Sequence, residues 1–452
     1  MERTESKGER YVFIETFGCQ MNESDSERML GYLAAEGYRA ADGPERADLI
    51  LINTCSIRDK AEQKVYSTAG RFRRLKRSRP GVVIGLAGCV AQQLGEKALR
   101  RMDYVDLVFG PHNVHRIGEL VDRVRGGERV AAVELSEGIE DDEFRAYSLE
   151  RSAVRAFVPI MRGCDNFCTY CIVPYVRGRE ASRPSAHIID EIRRLAAGGV
   201  REVTLIGQNV NSYGERSGGD TTFPQLLRLV ASVEGVERIR FVTSHPKDIS
   251  EELIGLFGEE PRLCRHLHLP VQSGSDRVLE RMGRGYTRAR YMAAVERIRA
   301  LYPDMALTTD IIVGFPGETD EDFRATMTLV EEVGFDSIFS FRYSPRPGTA
   351  AASFPDAVDG GVSSSRLAQL QELQREIAAE KNRAMVGRTV EVLVEGPSKA
   401  DPSEWTGRTG CNRVVNFPGP GLRRGLLVDV TITDAYANSL RGFCNERSVS
   451  CL

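Results

Sequence analysis

The stretch Arg162-Gly-Cys-Asp-Asn-Phe-Cys-Thr-Tyr-Cys171 decides how the rest of the chain is interpreted. It holds three thiols at the spacing C-x3-C-x2-C, directly after a β-rich run at residues 155–160. So short a loop can aim all three sulfurs at one point, and iron–sulfur clusters are held by cysteine thiolates. A structural zinc site closes with four ligands, usually in two separated pairs, and this loop contains no histidine. The spacing therefore favours a cluster on Cys164, Cys168 and Cys171 over a zinc knuckle or three unrelated reduced cysteines.

Length and composition indicate a multidomain globular protein. The chain has 452 residues, 41% of them hydrophobic and 28% charged, and at about 150 residues per domain we expect about three domains. No apolar run approaches the roughly 18 residues that span a bilayer, and the first residues show no signal peptide. Ten cysteines in such a chain favour metal or redox chemistry over disulfides. We expect a cytoplasmic location and no membrane partner.

Charge is unevenly distributed along the chain. The formal net charge is −3, and residues 134–143 contain six acids and no base, which predicts an interdomain linker. Residues 71–79 contain six bases in nine positions. This basic run is interpreted first as a solvated helix face and second as a helix that contacts phosphates. Any polyanionic partner must therefore meet local basic patches.

Residues 11–125 alternate between short β-rich runs and helical spacing, which indicates a parallel sheet covered by helices. A cysteine follows each of the first three runs: Cys19, Cys55 and Cys89. The carboxyl ends of parallel strands share the edge where such sheets gather ligands. We therefore expect the three thiols to form a second metal centre; the alternative is three small buried apolar side chains. The runs lie at residues 11–17, 49–53, 82–86 and 106–109.

Residues 152–380 repeat the strand–helix alternation six times, and every predicted strand ends in a polar or glycine-rich loop. In a β/α barrel the loops at the carboxyl ends of the strands form the active site. A partial six-strand barrel would place these loops around the C-x3-C-x2-C stretch. The predicted strands are residues 155–160, 202–206, 238–242, 266–269, 307–313 and 337–341.

The last part of the chain predicts a small all-β module. A helix with heptad-like apolar spacing at residues 366–385 precedes β-rich runs at 389–394, 413–417 and 426–432. Residues 381–449 hold ten Lys or Arg against seven Asp or Glu, interleaved with aromatic residues. Oligonucleotide-binding barrels mix basic and aromatic groups in this way. The alternative is a β-barrel whose aromatic residues are purely structural.

The order of these parts resembles the radical S-adenosylmethionine (SAM) methylthiotransferases over nearly the whole chain. Residues 53–58, 162–178 and 407–417 are similar to the branch that methylthiolates N6-isopentenyladenosine at position 37 of tRNA, next to the anticodon. Other branches act on threonylcarbamoyladenosine in tRNA or on an aspartate of a ribosomal protein. A non-catalytic zinc and RNA-binding module is an alternative from a different class.

The resemblance implies an α/β fold in three parts. These are an N-terminal Rossmann- or flavodoxin-like parallel sheet, a central partial (β/α)6 TIM barrel as the radical SAM core, and a C-terminal all-β TRAM module of OB-like type. We expect a methylthiotransferase N-terminal domain at residues 9–127 and an acidic linker at 128–149. The radical SAM core is then expected at 150–382 and the TRAM domain at 383–449.

The resemblance also implies two [4Fe-4S] clusters. The cluster on Cys164, Cys168 and Cys171 would chelate SAM at its open iron, and an auxiliary cluster would sit on Cys19, Cys55 and Cys89. The target carbon, C2 of adenine, carries an unactivated C–H bond that a SAM-derived radical can open. A second SAM would supply the methyl group and the auxiliary cluster the sulfur. Implied partners are tRNA carrying N6-isopentenyladenosine, a one-electron reductase such as flavodoxin or ferredoxin, and a sulfur donor.

Further candidate residues lie in the loops and in the β-module. The candidates for holding SAM lie in the predicted barrel strands or in the loops that follow them, and the candidates for binding RNA are arginines of the module. The four remaining cysteines are predicted to be structural. The SAM candidates are Gly207, Gln208, Gln272, Asp310 and Arg342; the RNA candidates are Arg408, Arg413, Arg423 and Arg424; the structural cysteines are Cys264, Cys411, Cys444 and Cys451.

Overall fold

The computed structural model describes residues 9–56, 59–136, 138–139, 153–215, 219–419 and 421–444, and for residues 59–63 the backbone alone. The chain divides into two compact units. The described residues of 1–151, 161–165 and 171–183 make the first unit, and those of 152–160, 166–170 and 184–452 make the second. No helix in the described part of the chain is both long and apolar enough to cross a membrane.

The first unit is built on a six-stranded parallel sheet in the order β2-β1-β3-β4-β5-β6. Alternate side chains of its central strands enter two separate apolar cores, because successive residues of a strand point to opposite faces. Leu49 and Leu51 join one core with α1 and α5, while Ile50 and Ile52 join the other with α2, α3 and α4. The elements are β1 Arg10–Phe17, α1 Gln20–Ala35, β2 Tyr38–Ala40, β3 Leu49–Thr54, α2 Asp59–Ser78, β4 Val83–Gly88, α3 Cys89–Leu94, α4 Glu96–Arg101, β5 Leu107–Phe109, α5 Ile117–Arg125 and β6 Val130–Ala132.

The parallel sheet and its four predicted strands are confirmed, and two three-residue strands are added to them. Tyr38–Ala40 and Val130–Ala132 are too short to show a period in the sequence. The second of these pairs with β5, so the sheet continues past residue 128, where the sequence placed the start of the linker. The rest of that predicted linker lies largely outside the described residues, at 137 and 140–149.

The second unit contains six parallel strands in two three-stranded sheets, ordered β11-β10-β7 and β12-β13-β14. A single parallel bridge between Ile239 and Leu263 connects β11 to the segment before β12. All six strands agree with the predicted ones. The strands are β7 Arg155–Pro159, β10 Glu202–Ile206, β11 Arg238–Phe241, β12 His266–His268, β13 Ala306–Val313 and β14 Ser337–Arg342; between them in chain order, β8 Met161–Arg162, α6 Val173–Arg177 and β9 Ala181–Ser182 belong to the first unit.

Most helices of the second unit begin directly after a polar capping residue; α7, which follows Pro184, does not. Thr319 and Asp322 form the capping box that starts α12, with each side chain bonded to the other residue's backbone N–H. Asp359 accepts from the N–H groups of Gly361 and Val362, so α13 begins six residues before the predicted helix start at 366. The helices are α7 Ser185–Ala197, α8 Phe223–Ala231, α9 Glu251–Glu259, α10 Asp276–Arg281, α11 Arg288–Leu301, α12 Asp320–Val333 and α13 Gly360–Arg383.

The C-terminal module is a closed barrel of five strands in the order β15-β16-β17-β19-β18. Its core consists of alternate apolar residues such as Val392, Val394, Phe417 and Val430, all fully buried. Closure removes the sheet edges that an open five-stranded sheet would expose. Residues 445–449 of the predicted domain, and Cys451, lie outside the described residues. The strands are β15 Thr389–Pro397, β16 Trp405–Thr409, β17 Val414–Phe417, β18 Leu427–Ala435 and β19 Leu440–Cys444.

This five-stranded module is attached to the amino ends of the parallel strands. Arg238 and Arg240, in β11, donate to main-chain carbonyls of the module at Arg408, Thr409 and Gly410. The Arg240 guanidinium is balanced by Glu202, the first residue of β10, at 2.9 Å, and both side chains are buried. The carboxyl ends of the six strands, at or near which the SAM candidates lie, are therefore on the opposite edge of the strands from the module.

Candidate metal centres and nucleic-acid interface

The structure brings the three strand-end cysteines of the first unit together. Cys19, Cys55 and Cys89 follow β1, β3 and β4, which are neighbours in the sheet. The thiol of Cys19 is hydrogen-bonded by Cys55, and it interacts electrostatically with Cys89. The predicted convergence of these residues at one sheet edge therefore agrees with their placement.

Two glycines let the cysteine loops approach each other so closely. Gly18 has φ +147° and Gly88 φ +87°, in the range that favours glycine. A Cβ atom on Gly18 would lie 2.6 Å from the Cβ of Cys55, and one on Gly88 would lie 2.4 Å from Oδ1 of Asn53. Either substitution would force the loops apart.

Buried amides hold the same loops in register. Asn53 donates from Nδ2 to the carbonyl of Asn22 at 2.8 Å and to Oγ of Ser26 at 2.9 Å, and Asn22 donates back to Oδ1 of Asn53 at 3.1 Å. Asn22 and Asn53 are both fully buried. The first two turns of α1, directly after Cys19, are thus tied to the end of β3 by polar groups that are buried and hydrogen-bonded.

The thiols of this trio differ in acidity. The hydrogen bond from Cys55 and the nearby Arg177 charge outweigh burial and lower the pKa of Cys19 to about 6. Burial raises the pKa of Cys89, against the attraction of the Arg177 guanidinium. The thiolate is the form that binds metals, so Cys19 is available as a ligand at neutral pH.

A buried arginine supplies positive charge to this site. The guanidinium of Arg177 donates from Nε to Sγ of Cys89 at 3.3 Å and from Nη2 to Oδ2 of Asp25 at 2.7 Å. Three thiols beside a buried cation suit an anionic thiolate-bound cluster, and the residues present fit that group. Among the described residues, no three His, Cys, Asp or Glu side chains lie in an arrangement that would hold a single metal ion.

His112 links Ser136 to the backbone of Arg177 through hydrogen bonds at both ring nitrogens. Its Nδ1 accepts from the N–H of Ser136 at 3.0 Å, so its Nε2 carries the proton and donates to the carbonyl of Arg177 at 3.0 Å. Burial, together with the charges of Arg162 and Arg177, lowers the pKa of His112 to about 4. The imidazole is therefore neutral at physiological pH.

The neutral His112 should make the first unit acid-sensitive. An unfolded imidazole titrates near 6.5, so between about pH 6.5 and 4 the unfolded chain binds the extra proton. The stability contribution is fully present above pH 6.5, and about 2 kcal/mol of it should be lost between pH 7 and pH 5. Denaturant unfolding of the holoprotein at both pH values, compared with His112→Gln, would measure this. An equal loss of stability in His112→Gln would contradict the assignment.

Within the C-x3-C-x2-C stretch, Cys164 and Cys171 belong to the first unit and Cys168 to the second. On the side of the first unit, the N–H of Cys164 donates to the carbonyl of Gly178 at 3.2 Å. Gly163 has φ +74°, and a Cβ atom there would lie 1.9 Å from the carbonyl oxygen of Arg179. A glycine is therefore required before the first thiol.

On the side of the second unit, Cys168 is held beside a second buried arginine. Arg284 donates from Nη1 to Sγ of Cys168 at 3.4 Å and from Nη2 to the carbonyl of Pro270 at 2.8 Å. The next residue, Thr169, is tied through its N–H to the carbonyl of Met282 at 2.9 Å. Arg284 therefore fixes the sulfur of Cys168, and the hydrogen bond of Thr169 fixes the backbone that follows it.

The SAM candidates all belong to the second unit and lie at or near the carboxyl ends of its strands. Gln272 has φ +72°, a conformation that costs on the order of 1 kcal/mol for a residue with a side chain. Its carboxamide oxygen is buried without a hydrogen-bond partner among the described residues. Asp310 lies with Oδ1 3.5 Å from Nε2 of His268.

The other SAM candidates are less distinctive. The carbonyl of Gly207 accepts from Oγ1 of Thr243 at 2.8 Å, and Gln208 follows it as a half-buried residue. Arg342 is exposed and donates to Oγ of Ser364 at 2.8 Å. All five SAM assignments stay predictions. Gln272 is the strongest of them, because its positive φ and its buried carboxamide oxygen without a partner among the described residues require an explanation.

The RNA candidates fall into two pairs. Arg408 and Arg413 are engaged within the second unit: Arg408 lies 3.1 Å from Glu395, and Arg413 pairs with Asp336, just before β14. Arg423 and Arg424 are exposed, in the turn before β18. The second pair is therefore available to an external polyanion, whereas the first stabilises the second unit.

The basic run at residues 71–79 lies mainly on α2, and four of its six bases pair with acids of the same unit. This agrees with a solvated, internally paired helix, the interpretation preferred from the sequence. The pairs are Arg71 with Glu15, Arg73 with Asp103, Lys76 with Asp106 and Arg79 with Asp48.

The sequence did not single out Arg177, Asp25 or Arg284. One signal was present: Arg177 ends an otherwise apolar run, six residues after Cys171. A base with nothing to pair with in its own segment must find a distant partner if it is buried. Asp25, 152 positions earlier, is that partner.

Three family descriptions match consecutive parts of the chain. They are an uncharacterized protein family, UPF0004, at residues 11–110, the Radical SAM superfamily at residues 158–330 and the TRAM domain at residues 383–443. Among solved structures, the radical SAM methyltransferase TsrM from Kitasatospora setae covers 76% of this chain and 74% of its own at TM-score 0.57 and 16% identity. The cobalamin-dependent radical enzyme OxsB covers 82% and 56% at TM-score 0.51 and 12% identity. These structures support the fold alone.

Curated relatives match nearly end to end under one name, tRNA-2-methylthio-N(6)-dimethylallyladenosine synthase. The protein from Geobacter sulfurreducens is 54% identical over 437 residues, which are 96% of this chain and 97% of the relative. The protein from Burkholderia ambifaria is 50% identical over 442 residues, 95% and 96% of the two chains. At this identity and coverage, the chain belongs to the family of tRNA-2-methylthio-N(6)-dimethylallyladenosine synthases, within the radical SAM enzymes.

Proposed function

We propose that this protein attaches a methylthio group to C2 of N6-isopentenyladenosine at position 37 of tRNA; isopentenyl and dimethylallyl name the same substituent. The observation that carries the proposal is the convergence of Cys19, Cys55 and Cys89 at one sheet edge, in a chain that also has the C-x3-C-x2-C stretch. One iron–sulfur site suffices for a radical, and a second site could supply the sulfur that is transferred. The name shared by the relatives supports the choice of substrate.

The division of labour among residues follows from this proposal. Cys164, Cys168 and Cys171 would hold the cluster that binds SAM, and Cys19, Cys55 and Cys89 the auxiliary cluster. When bound, the first cluster and SAM supply a radical that can open the unactivated C2–H bond. Gln272 would accept a hydrogen bond from a ligand, which would satisfy its buried carboxamide oxygen and repay its strained backbone.

The remaining partners and the location belong to the same proposal. A one-electron reductase such as flavodoxin or ferredoxin would supply the electron for reductive SAM cleavage, and a sulfur donor would replace the sulfur that leaves with each product. A cytoplasmic location is part of the proposal, because the tRNA and both partners would be met there. The TRAM module would contact the RNA backbone through its exposed arginines.

The test of the proposal uses purified protein reconstituted anaerobically with iron and sulfide. It is incubated with SAM, a reductant and one of two tRNAs, bearing either isopentenyl- or threonylcarbamoyl-adenosine at position 37, and the nucleosides are then analysed by mass spectrometry. A methylthio product from the first tRNA alone is expected. Product from the second tRNA, or from the aspartate of a ribosomal protein supplied instead, would select an alternative branch. Binding of zinc alone, without visible absorption or product, would indicate a non-catalytic module.

The RNA surface makes a separate prediction. Arg423→Glu with Arg424→Glu should weaken tRNA binding and flatten its salt dependence, because each lost phosphate contact lowers the salt slope by about 0.7 to 0.9. The matched control is Arg193→Glu with Arg194→Glu, an equal charge change on exposed residues of α7. Affinity measured across a salt titration should change only in the first variant. Equal slopes in both variants would leave the module without a role in RNA binding.

A further inference from the structure

The side chain of Arg177 lies between an acid and a candidate cluster ligand. Its Nη2 is 2.7 Å from Oδ2 of Asp25, and its Nε is 3.3 Å from Sγ of Cys89. The side chains of Arg177 and Asp25 are 5% and 2% exposed. An ion pair this deep, with one N–H directed at sulfur, is costly to build unless that N–H has a strong acceptor.

Three arginines line the small cavity beside this pair. Arg28, Arg162 and Arg177 all line it and are all buried, whereas Asp25 is the one carboxylate of the lining. The remaining titratable group there, His112, is neutral. Arg28 forms an ion pair with Asp25, with 3.3 Å between Nη1 and Oδ1, and Arg162 donates from Nη2 to Oγ of Ser136 at 2.9 Å. Among these three arginines, Arg177 is the one with an N–H directed at the sulfur of Cys89.

Several elements hold Arg177 in place. The carbonyl of Arg177 accepts from Nε2 of His112 at 3.0 Å, so the end of α6 is fixed from outside. Ile172 and Val176 pack against Cys89 in an apolar cluster, which fixes the helix on the ligand itself. The hydrogen bond from His112 and the packing of Ile172 and Val176 on Cys89 hold α6 in place, so that its last residue, Arg177, faces Cys89.

We infer that Arg177 is a positioning residue that raises the reduction potential of the auxiliary cluster through a charge-assisted N–H···S hydrogen bond to Cys89. The inference rests on the proposed function, since it requires a cluster on Cys19, Cys55 and Cys89. Reduction adds one electron from the reductant and hence one negative charge to the cluster. A fixed cation and a donor at one sulfur stabilise that more negative state. Arg177 stays protonated throughout, so no proton moves.

The test isolates one cluster in the full-length chain. In the Cys164→Ala, Cys168→Ala, Cys171→Ala background only the auxiliary cluster can form, and dithionite titration followed by EPR gives its potential. Arg177→Lys keeps the charge, but its single ammonium cannot bridge Asp25 and Cys89 as the planar guanidinium does. We expect Arg177→Lys to lower the reduction potential of the auxiliary cluster by at least about 59 mV. For one electron, this corresponds to a tenfold decrease in the equilibrium constant of reduction.

Arg28→Lys is the matched control, because it is the same substitution at the other buried arginine on Asp25. It should shift the potential clearly less. A second control moves Arg177→Lys into the Cys19→Ala, Cys55→Ala, Cys89→Ala background, where the remaining cluster should keep its potential. Equal shifts in Arg28→Lys, or no shift in Arg177→Lys with its iron content intact, would overturn the inference. Loss of iron from the isolating background itself would instead refute the auxiliary cluster.

A measurement without any change at position 177 covers the case in which Arg177→Lys fails to assemble its cluster. Arginine labelled with 15N is incorporated into the isolating background, and pulsed EPR is recorded on the reduced cluster. The N–H···S bond predicts a 15N hyperfine coupling in the protein that retains Arg177. A spectrum without that coupling would also overturn the inference.

Discussion

Replacing Cys164, Cys168 and Cys171 together by Ala is expected to abolish reductive cleavage of SAM while about four irons per chain remain. The reason is that the cysteines after β1, β3 and β4 are proposed to form their own ligand set, and the buried Asn22–Asn53 pair holds their segments together within the first unit. Iron analysis and chromatographic detection of 5′-deoxyadenosine measure the two parts of this result.

The control for this triple variant is Cys264→Ala, which removes a buried cysteine outside both proposed ligand sets. It should keep about eight irons per chain, four for each cluster, and should cleave SAM normally. Continued formation of 5′-deoxyadenosine by the triple variant would remove the C-x3-C-x2-C stretch from SAM chemistry. Complete loss of iron would mean that the strand-end cysteines bind no cluster of their own.

Cys55→Ala is expected to have the complementary effect: SAM is still cleaved, but tRNA receives no methylthio group. Cys55 is buried, and its thiol hydrogen-bonds Cys19, so its removal also takes away the main cause of the lowered pKa of Cys19. The site then loses one ligand and part of the thiolate character of another. The ligand set at residues 164–171 is untouched.

The measurement for Cys55→Ala is nucleoside mass spectrometry of the tRNA together with quantitation of 5′-deoxyadenosine from the same reaction. Cys264→Ala again serves as the control and should produce both. Full methylthiolation by Cys55→Ala would take the strand-end trio out of the reaction. Loss of SAM cleavage along with product would show that the two sites are not independent.

The sequence by itself determined the long strands and the capped helices, and from it we predicted the two cysteine ligand sets. Periods of two and of 3.6 residues are local properties, so long strands such as Ala306–Val313 and capped helices such as Asp320–Val333 could be located from them. The position of a cysteine directly after a strand is equally local, and strand order in a parallel sheet then brings such residues to one edge. The family resemblance rested on these same segments.

Only the tertiary structure decided which charged side chains form ion pairs within the protein. In the sequence, Arg413 and Arg423 are equivalent members of a basic module, yet Arg413 pairs with Asp336 while Arg423 is exposed. The Arg177–Asp25 pair likewise joins residues 152 positions apart. Side-chain partners at such separations depend on how the elements pack, and no local period records that packing.

The short strands and the attachment of the C-terminal module were also decided only by the tertiary structure. Val130–Ala132 is a strand because β5 offers it an open edge, and its own three residues carry no pattern. Arg238 and Arg240 look like ordinary strand residues until main-chain carbonyls of the module accept from them. Hydrogen bonds between backbone and side chains of distant segments are made only once those segments meet. The sequence therefore determines what each segment can become, and the tertiary structure determines which buried groups satisfy one another.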